Sequence, residues 1–191
     1  MSGKLRKLRS PIIWLGVALV YALPFLALDG FGAAFMKFEG IKGESIDQVH
    51  KEEIDVLSWS WGASNSTGYQ VGTGRTEGKV SFQDFTFTHE YDKTSPALAL
   101  RCFSGKHIPE AIFSLTRIVN DDPVDILVIT FSNVLVSSIA HGGSSTSDQL
   151  PVENVSIVYE KFQLEYSLYN KDGSKSGTSR AAWDLRSNTG G

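Results

Sequence analysis

The sequence contains one cysteine and four histidines in 191 residues, and these small numbers limit the chemistry that it can support. A single cysteine, Cys102, excludes an internal disulfide framework. Its neighbours Leu98, Leu100 and Phe103 are apolar, so the sequence predicts a small buried hydrophobic residue rather than a reactive thiol. The fold must therefore be stabilised by packing without covalent cross-links.

The histidines are scattered at positions 50, 89, 107 and 141, and no pair has the short spacing of metal ligands on a helix. We therefore expect no metal site and no cofactor. His107 follows Gly105 and Lys106 at the end of an expected helix. We predict that this histidine caps the helix rather than acting in catalysis.

Motifs for covalent catalysis and for phosphate binding are also missing. The serine and glycine clusters at 142–147 and 173–177 lack the Gly-x-Ser-x-Gly spacing of a nucleophile elbow. Gly72-Thr73-Gly74 lacks the rest of a dinucleotide-binding fingerprint, and no helix is expected after it. The sequence thus predicts a protein that is not an enzyme.

Positive charge is scarce outside the N-terminal 34 residues. The whole chain has 18 basic and 21 acidic residues, and residues 1–34 hold four of the basic and one of the acidic ones. The remainder therefore has 14 basic and 20 acidic residues, a net charge of −6. An acidic domain is poorly suited to neutralising phosphates, so we expect no nucleic-acid partner.

Residues 1–34 have the composition of a targeting segment. A basic start precedes an apolar run from Ile12 to Leu28, which Pro24 interrupts, and Gly32-Ala33-Ala34 supplies the small residues of a cleavage site after Ala34. Two other interpretations stay open: an uncleaved membrane anchor, or a true start near Met36. Residues 35–191 are expected to form one domain.

A strand ending in two tryptophans is the strongest structural signal. In residues 52–62, alternation places Asp55, Leu57, Trp59 and Trp61 on one face and Ile54, Val56, Ser58 and Ser60 on the other. We expect the tryptophan face to lie in the core. The following residues, 63–78, have the composition of a long loop.

Further strands are expected at 35–38, 79–89, 111–119, 125–139, 153–170 and 181–186, and a short helix at 97–103 after Pro96. The hydrophobic phase changes near Gln83-Asp84 and near Glu160-Lys161, which predicts a bulge at each place. The pattern indicates a mainly β fold, either a barrel or two packed antiparallel or mixed sheets, with about eight strands, one short α-helix and a long extended loop.

Several motifs together resemble one family. They are Phe38-Glu39-Gly40-Ile41-Lys42-Gly43-Glu44-Ser45 with His50, residues 52–62, Gly78-Lys79-Val80 with Gln83-Asp84-Phe85, Asp92-Lys93-Thr94-Ser95-Pro96, Ser104-Gly105-Lys106-His107, residues 134–138, Glu153-Asn154-Val155 and Trp183-Asp184-Leu185-Arg186. In order and spacing they are similar to the hemolysin-coregulated protein (Hcp) family, whose members form the tube of type VI secretion systems. Residues 1–34 depart from this pattern.

The resemblance implies a structural role for a barrel-fold subunit. It implies six-subunit rings that stack into a hollow tube, assemble in the cytoplasm and leave the cell with small effector proteins. The partners would be other copies of the chain, the sheath and spike of the machine, and the effectors. Any contact with a membrane would be through residues 1–34 only.

The resemblance also assigns two groups of site residues. Ser58 and Ser60 would face the lumen and contact effectors, and the loop residues Gly68, Tyr69, Gln70, Val71 and Gly72 would contact the next ring. The N-terminal extension supports one alternative: an exported or membrane-anchored binding module, periplasmic or at the inner membrane, that has the Hcp fold but forms no tube. The two predictions differ in where the protein is found and in whether it forms rings.

Overall fold

Thirteen strands and one helix form the described part of the chain, which in this computed structural model comprises residues 31–65, 69–70, 74–75, 80–146 and 150–191. The strands are β1 Phe31–Phe38, β2 Ile54–Ser60, β3 Ala63–Asn65, β4 Tyr69–Gln70, β5 Gly74–Arg75, β6 Val80–Phe82, β7 Phe85–Glu90, β8 Ile108–Val119, β9 Asp122–Gly142, β10 Val152–Val158, β11 Lys161–Tyr169, β12 Lys175–Asp184 and β13 Thr189–Gly190, and the helix is α1 Ser95–Ser104. The apolar run at 12–28 lies outside the described residues.

Six antiparallel strands close into a barrel in the order β10-β7-β2-β1-β8-β9, with β10 pairing back onto β9. The long strand β9 makes closure possible. It pairs with β8 over its first part and, on its other edge, with β11 and then with β10. Strands β11, β12 and β13 continue the sheet beyond the barrel. The predicted mainly β barrel with one short helix is confirmed for the described residues.

An aromatic core fills the barrel. Phe85 lies at its centre, with ring centroids 5.0 Å from Phe131, 5.1 Å from Phe113 and 6.1 Å from Trp59. Trp61 donates a hydrogen bond from Nε1 to the Tyr159 hydroxyl at 2.5 Å. Burial raises the pKa of Tyr159, so this phenol stays neutral and its own O–H remains a donor. Both tryptophans contact the aromatic core, but the prediction that they lie inside it is confirmed only in part, because Trp61 is partly buried and Trp59 is 37% exposed.

The prediction for the first part of β2 is wrong. Ile54 is 2% exposed, whereas Leu57, which we expected on the tryptophan face, is 58% exposed. The reason is a bulge: Val56 pairs with His89 and Ser58 with Thr88, so Leu57 is an extra residue in β2. The bulge reverses the alternation, and Asp55 also lies on the exposed side.

The predicted changes of phase fall at the right places, but at each the chain divides into two separate strands rather than forming a bulge within one. β6 ends before Gln83, whose N–H donates to the carbonyl of Gly62 at 2.9 Å, and β7 begins at Phe85. β10 and β11 are separated at Glu160, whose N–H donates to the carbonyl of Ser132 at 3.1 Å. In the later part of β11 the aromatic and aliphatic side chains at 166 and 168 are exposed, although the hydrophobic alternation of the strand continues there.

The helix begins and ends where the sequence signals predict. Pro96 is in the first turn, and Gly105 follows the helix with a left-handed φ of 60°. Thr94 makes no side-chain cap and instead donates its hydroxyl to the Asp92 carboxylate. Leu98 packs into the core, while Leu100 and Phe103 point outward. Within the described ranges no helix is long and apolar enough to cross a membrane.

The C-terminal strands differ most from the predicted boundaries, because β12 covers 175–184 rather than 181–186. Its end is fixed by an ion pair between Lys161 Nζ and Asp184 Oδ2 at 2.8 Å. The hydrogen bond from Lys161 lowers the pKa of Asp184 to about 2. Because this pKa is depressed, the pair contributes its full stabilisation at pH values above the ordinary pKa of an aspartate. That stabilisation is lost as the pH falls through about 2.

Candidate functional surface

Small hydroxyl and amide side chains cover the outer side of four barrel strands. We call this surface the hydroxyl face; its members are Ser58 and Ser60 of β2, Thr86 and Thr88 of β7, Asn154 and Ser156 of β10, and Ser138 of β9. None of these side chains is charged. The surface therefore offers hydrogen-bond donors and acceptors on short, uncharged side chains.

Strand register assembles the hydroxyl face into two rows. In the first row, Ser60 pairs with Thr86, Thr86 with Ser156, and Ser156 with Ser138. In the second row, Ser58 pairs with Thr88, Thr88 with Asn154, and Asn154 with Ala140. Residues that are register partners lie on the same face of a sheet, so the rows run side by side across four strands.

Hydrogen bonds hold the centre of this surface, while the serines of β2 stay accessible. The Thr86 and Ser156 hydroxyls are 3.0 Å apart, and the Thr88 hydroxyl donates to Asn154 Oδ1 at 2.5 Å. Ser58 and Ser60 are exposed. The surface therefore consists of one bonded hydroxyl pair and one bonded hydroxyl–amide pair, with exposed serines beside them.

The intervening row explains why these side chains face outward. Trp59 pairs with Phe87, Phe87 with Val155, and Val155 with Ile139. Four apolar side chains in register belong in the core, so the neighbouring positions on each strand must face the other way. The sequence identified Ser58 and Ser60 but not their partners, although the alternation in Thr86-Phe87-Thr88 and Asn154-Val155-Ser156 was a readable signal.

The predicted ring-contact loop is described only in part. Tyr69 and Gln70 form β4, which pairs with Gly74 and Arg75 of β5 in a short hairpin. Residues 68, 71 and 72 of the same prediction, all Gly or Val, lie outside the described residues. The adjoining β3 pairs with β6, so part of the segment that we expected to be a loop is a two-stranded ribbon.

A row of polar side chains, two of them buried, crosses three of the same strands at one end of the barrel. His89, Glu153 and His141 are register partners on β7, β10 and β9, with His89 1% and Glu153 0% exposed. Glu153 carboxylate oxygens lie 3.6 Å from His89 Nε2 and 3.5 Å from His141 Nδ1. These separations are longer than ordinary hydrogen bonds, and both ring nitrogens of His89 and both carboxylate oxygens of Glu153 are buried without a hydrogen-bond partner among the described residues.

Spacing along the chain gave no sign of this row, because the three residues come together only through strand pairing. No described group of three or more His, Cys, Asp and Glu side chains is arranged to hold a metal ion. The prediction for His107 is wrong: its Nδ1 contacts Asn133 Oδ1 at 2.9 Å, and Gly105 ends the helix instead. The side chain of His107 is therefore directed to β9.

Comparison with known proteins identifies one consistent group of relatives. Residues 35–166 match the family described as "Type VI secretion system effector, Hcp". The chain is 43% identical over 155 residues to the protein hcp1 of Pseudomonas aeruginosa, a match that covers 81% of this chain and 95% of that protein.

Two solved structures have the same fold. One is described as a type six secretion system protein; it has a TM-score of 0.79 and 27% identity, and covers 85% of this chain and 100% of its own. The other is Hcp1 from Salmonella typhimurium, with a TM-score of 0.68 and 34% identity, covering 83% of this chain and 97% of its own.

Proposed function

Because the chain belongs to the Hcp family of type VI secretion tube proteins, we propose that it assembles into six-subunit rings that stack into a tube and carry small effectors in the lumen. The observation that carries this proposal is the family match over most of the chain. Two surfaces of the folded subunit, an open strand edge and an exposed apolar helix side, add support because both are suited to contact with another subunit. The role is structural and needs no cofactor.

The first such surface is the outer edge of β12. This strand pairs with β13 at Trp183 and Asp184, and Ala182 exchanges backbone hydrogen bonds with Gly191, so the edge at 175–181 has no strand partner within the described ranges. An open edge presents unpaired N–H and C=O groups that favour pairing with another chain. Pairing with a neighbouring subunit in a closed ring would cover this edge in all six copies.

The second surface is the outer side of α1. Leu100 and Phe103 are 65% and 76% exposed although both are large and apolar. Single exposed apolar residues are common, but two on one short helix beside the sheet are suited to burial against another subunit. These contacts support head-to-tail assembly, in which two different faces of the subunit meet.

The hydroxyl face is proposed to line the lumen, with Ser60 contacting cargo. We expect Ser60→Gln to reduce the cargo that co-purifies with rings by about tenfold or more, because six glutamine side chains would narrow the lumen and displace the cargo surface. Quantitative mass spectrometry of proteins bound to purified rings measures this. Ser144→Gln, at an exposed serine off the hydroxyl face, is the matched control. Wild-type cargo levels with Ser60→Gln would refute the assignment.

The hairpin of β4 and β5, with its flanking residues, is proposed to contact the next ring. Deleting residues 68–72 is expected to leave single rings but remove stacked tubes, because β4 is lost while the barrel strands are untouched. Electron micrographs of both proteins at matched concentration test this. Tubes of ordinary length from the deletion variant would contradict the role of the hairpin.

The apolar N-terminal run favours one second candidate, an exported or membrane-anchored binding module with the same fold. Such a module would use the hydroxyl face for a partner without ring formation. Native mass measurement separates the two functions, since the tube subunit gives a six-subunit particle and the module does not.

A further inference from the structure

The first residues of β1 are an integral part of the barrel, although they belong to the segment whose composition resembles a cleaved signal. β1 begins at Phe31, four residues before the predicted first strand. Phe31 pairs with Arg117, and Ala34 pairs with both Leu115 of β8 and Val56 of β2. The segment is therefore paired with β8 at both of its ends, and at Ala34 it is also paired with β2.

A buried threonine forms hydrogen bonds with both the backbone N–H and the backbone carbonyl of one residue in this segment, Ala33. Thr116 is 4% exposed, and its Oγ1 accepts from Ala33 N–H at 2.8 Å and donates to the Ala33 carbonyl at 3.0 Å. A side chain at Gly32 would place its Cβ 2.3 Å from the same oxygen, so a residue without a side chain is needed there. Without residues 31–34, the Thr116 hydroxyl would lose both of these partners.

Phe35 shows why a chain end at this point is unfavourable. Its side chain is 2% exposed and stacks on His50 with ring centroids 4.3 Å apart and an interplanar angle of 15°. His50 in turn contacts Glu53 and Asp125, each at 3.0 Å, and so connects the β1–β2 loop to β9. Cleavage after Ala34 would place a charged amino group inside the sheet at Phe35.

A start at Met36 would have a related consequence. It would remove Phe35 and leave the buried His50 ring without its stacking partner. It would also reduce β1 to Met36, Lys37 and Phe38, so that β2 would keep only the Met36–Ile54 pair with β1. The closed barrel depends on β1 as the connection between β2 and β8.

We propose that Phe31–Ala34 are an essential part of the folded subunit, so that any processing of the N-terminal extension, or the true start of the chain, falls at or before Gly30. Ala34 is then not a cleavage site and Met36 is not a functional start. This inference is independent of ring formation, because it rests on contacts within one subunit.

The intact mass of the native protein, purified from cells and from culture medium, tests the proposal directly. We expect every folded form to begin at or before residue 31. A folded form that begins at Phe35 or Met36, in any fraction, would overturn the proposal.

Substitution of Thr116 in the full chain gives a second test that does not depend on processing. Thr116→Val keeps the shape but removes both hydrogen bonds to Ala33, so we expect the Tm to fall by about 3–8 °C and the Ala33 amide to exchange faster with solvent. Thr116→Ser keeps the hydroxyl and is expected to retain slow exchange. Equal Ala33 exchange in wild type and Thr116→Val would contradict the integration of this segment.

Discussion

Replacement of Phe85 by alanine is expected to lower the free energy of unfolding by about 3–5 kcal/mol, the usual cost of truncating a buried aromatic ring. Phe85 has no exposed surface, and its ring contacts Trp59, Phe113 and Phe131 from three different strands. The cavity cannot close readily, because these neighbours are themselves fixed by strand pairing. Urea unfolding followed by tryptophan fluorescence, at fixed protein concentration, measures the loss.

The matched control is Phe103→Ala, the same truncation at a side chain that is 76% exposed. On single subunits this change is expected to cost no more than about 0.5 kcal/mol, as is usual for a surface position. If the two variants unfold at the same urea concentration, the aromatic core around Phe85 does not stabilise the barrel as described.

Thr178→Pro is expected to prevent ring assembly while leaving the subunit folded. Ala182 exchanges hydrogen bonds with Gly191 at 3.1 and 3.2 Å, so its backbone groups face away from β11. Backbone direction alternates along an antiparallel strand, which places the Thr178 N–H on the same open edge. Proline there removes a donor that β11 does not use, and the preceding Gly177 has no Cβ to clash with the ring.

We expect the lost hydrogen bond to weaken the affinity of each contact between neighbouring subunits by about tenfold. Because a closed ring contains six such contacts, the losses add up over the whole ring. Analytical ultracentrifugation should show single subunits in place of six-subunit particles. Thr178→Ala keeps the N–H and is expected to assemble as wild type does. Normal rings from the proline variant would mean that neighbouring subunits do not pair through the β12 edge.

Local sequence patterns predicted where the strands and the helix lie better than they predicted which face of each strand is buried. The aromatic alternation in β7, the proline and glycine around α1 and the two changes of hydrophobic phase were all readable from neighbouring residues. The face of β2 was not, because a single extra residue at Leu57 reverses the alternation without a distinctive residue type to mark it. The exposed half of β11 has the same hydrophobic alternation as the half that packs on the barrel, so alternation alone does not show where the barrel ends.

Contacts between distant residues could not be read from the chain. The hydroxyl face depends on pairing β2 with β7 and β7 with β10, and the His89–Glu153–His141 row depends on the same register. The two hydrogen bonds between Ala33 and Thr116 join residues that are 83 apart in sequence. For this reason a segment that resembles a targeting signal by composition could contain the first strand of the fold.

Dependence of secretion on the type VI machine is the most direct test of the central claim that this chain is a tube subunit. The native protein should be measured in cells and medium of the parent strain and of a strain lacking the contractile sheath, with a cytoplasmic marker to exclude lysis. The account predicts protein in the medium of the parent strain and its retention inside cells without the sheath. Equal release from both strains would contradict a role in the secreted tube.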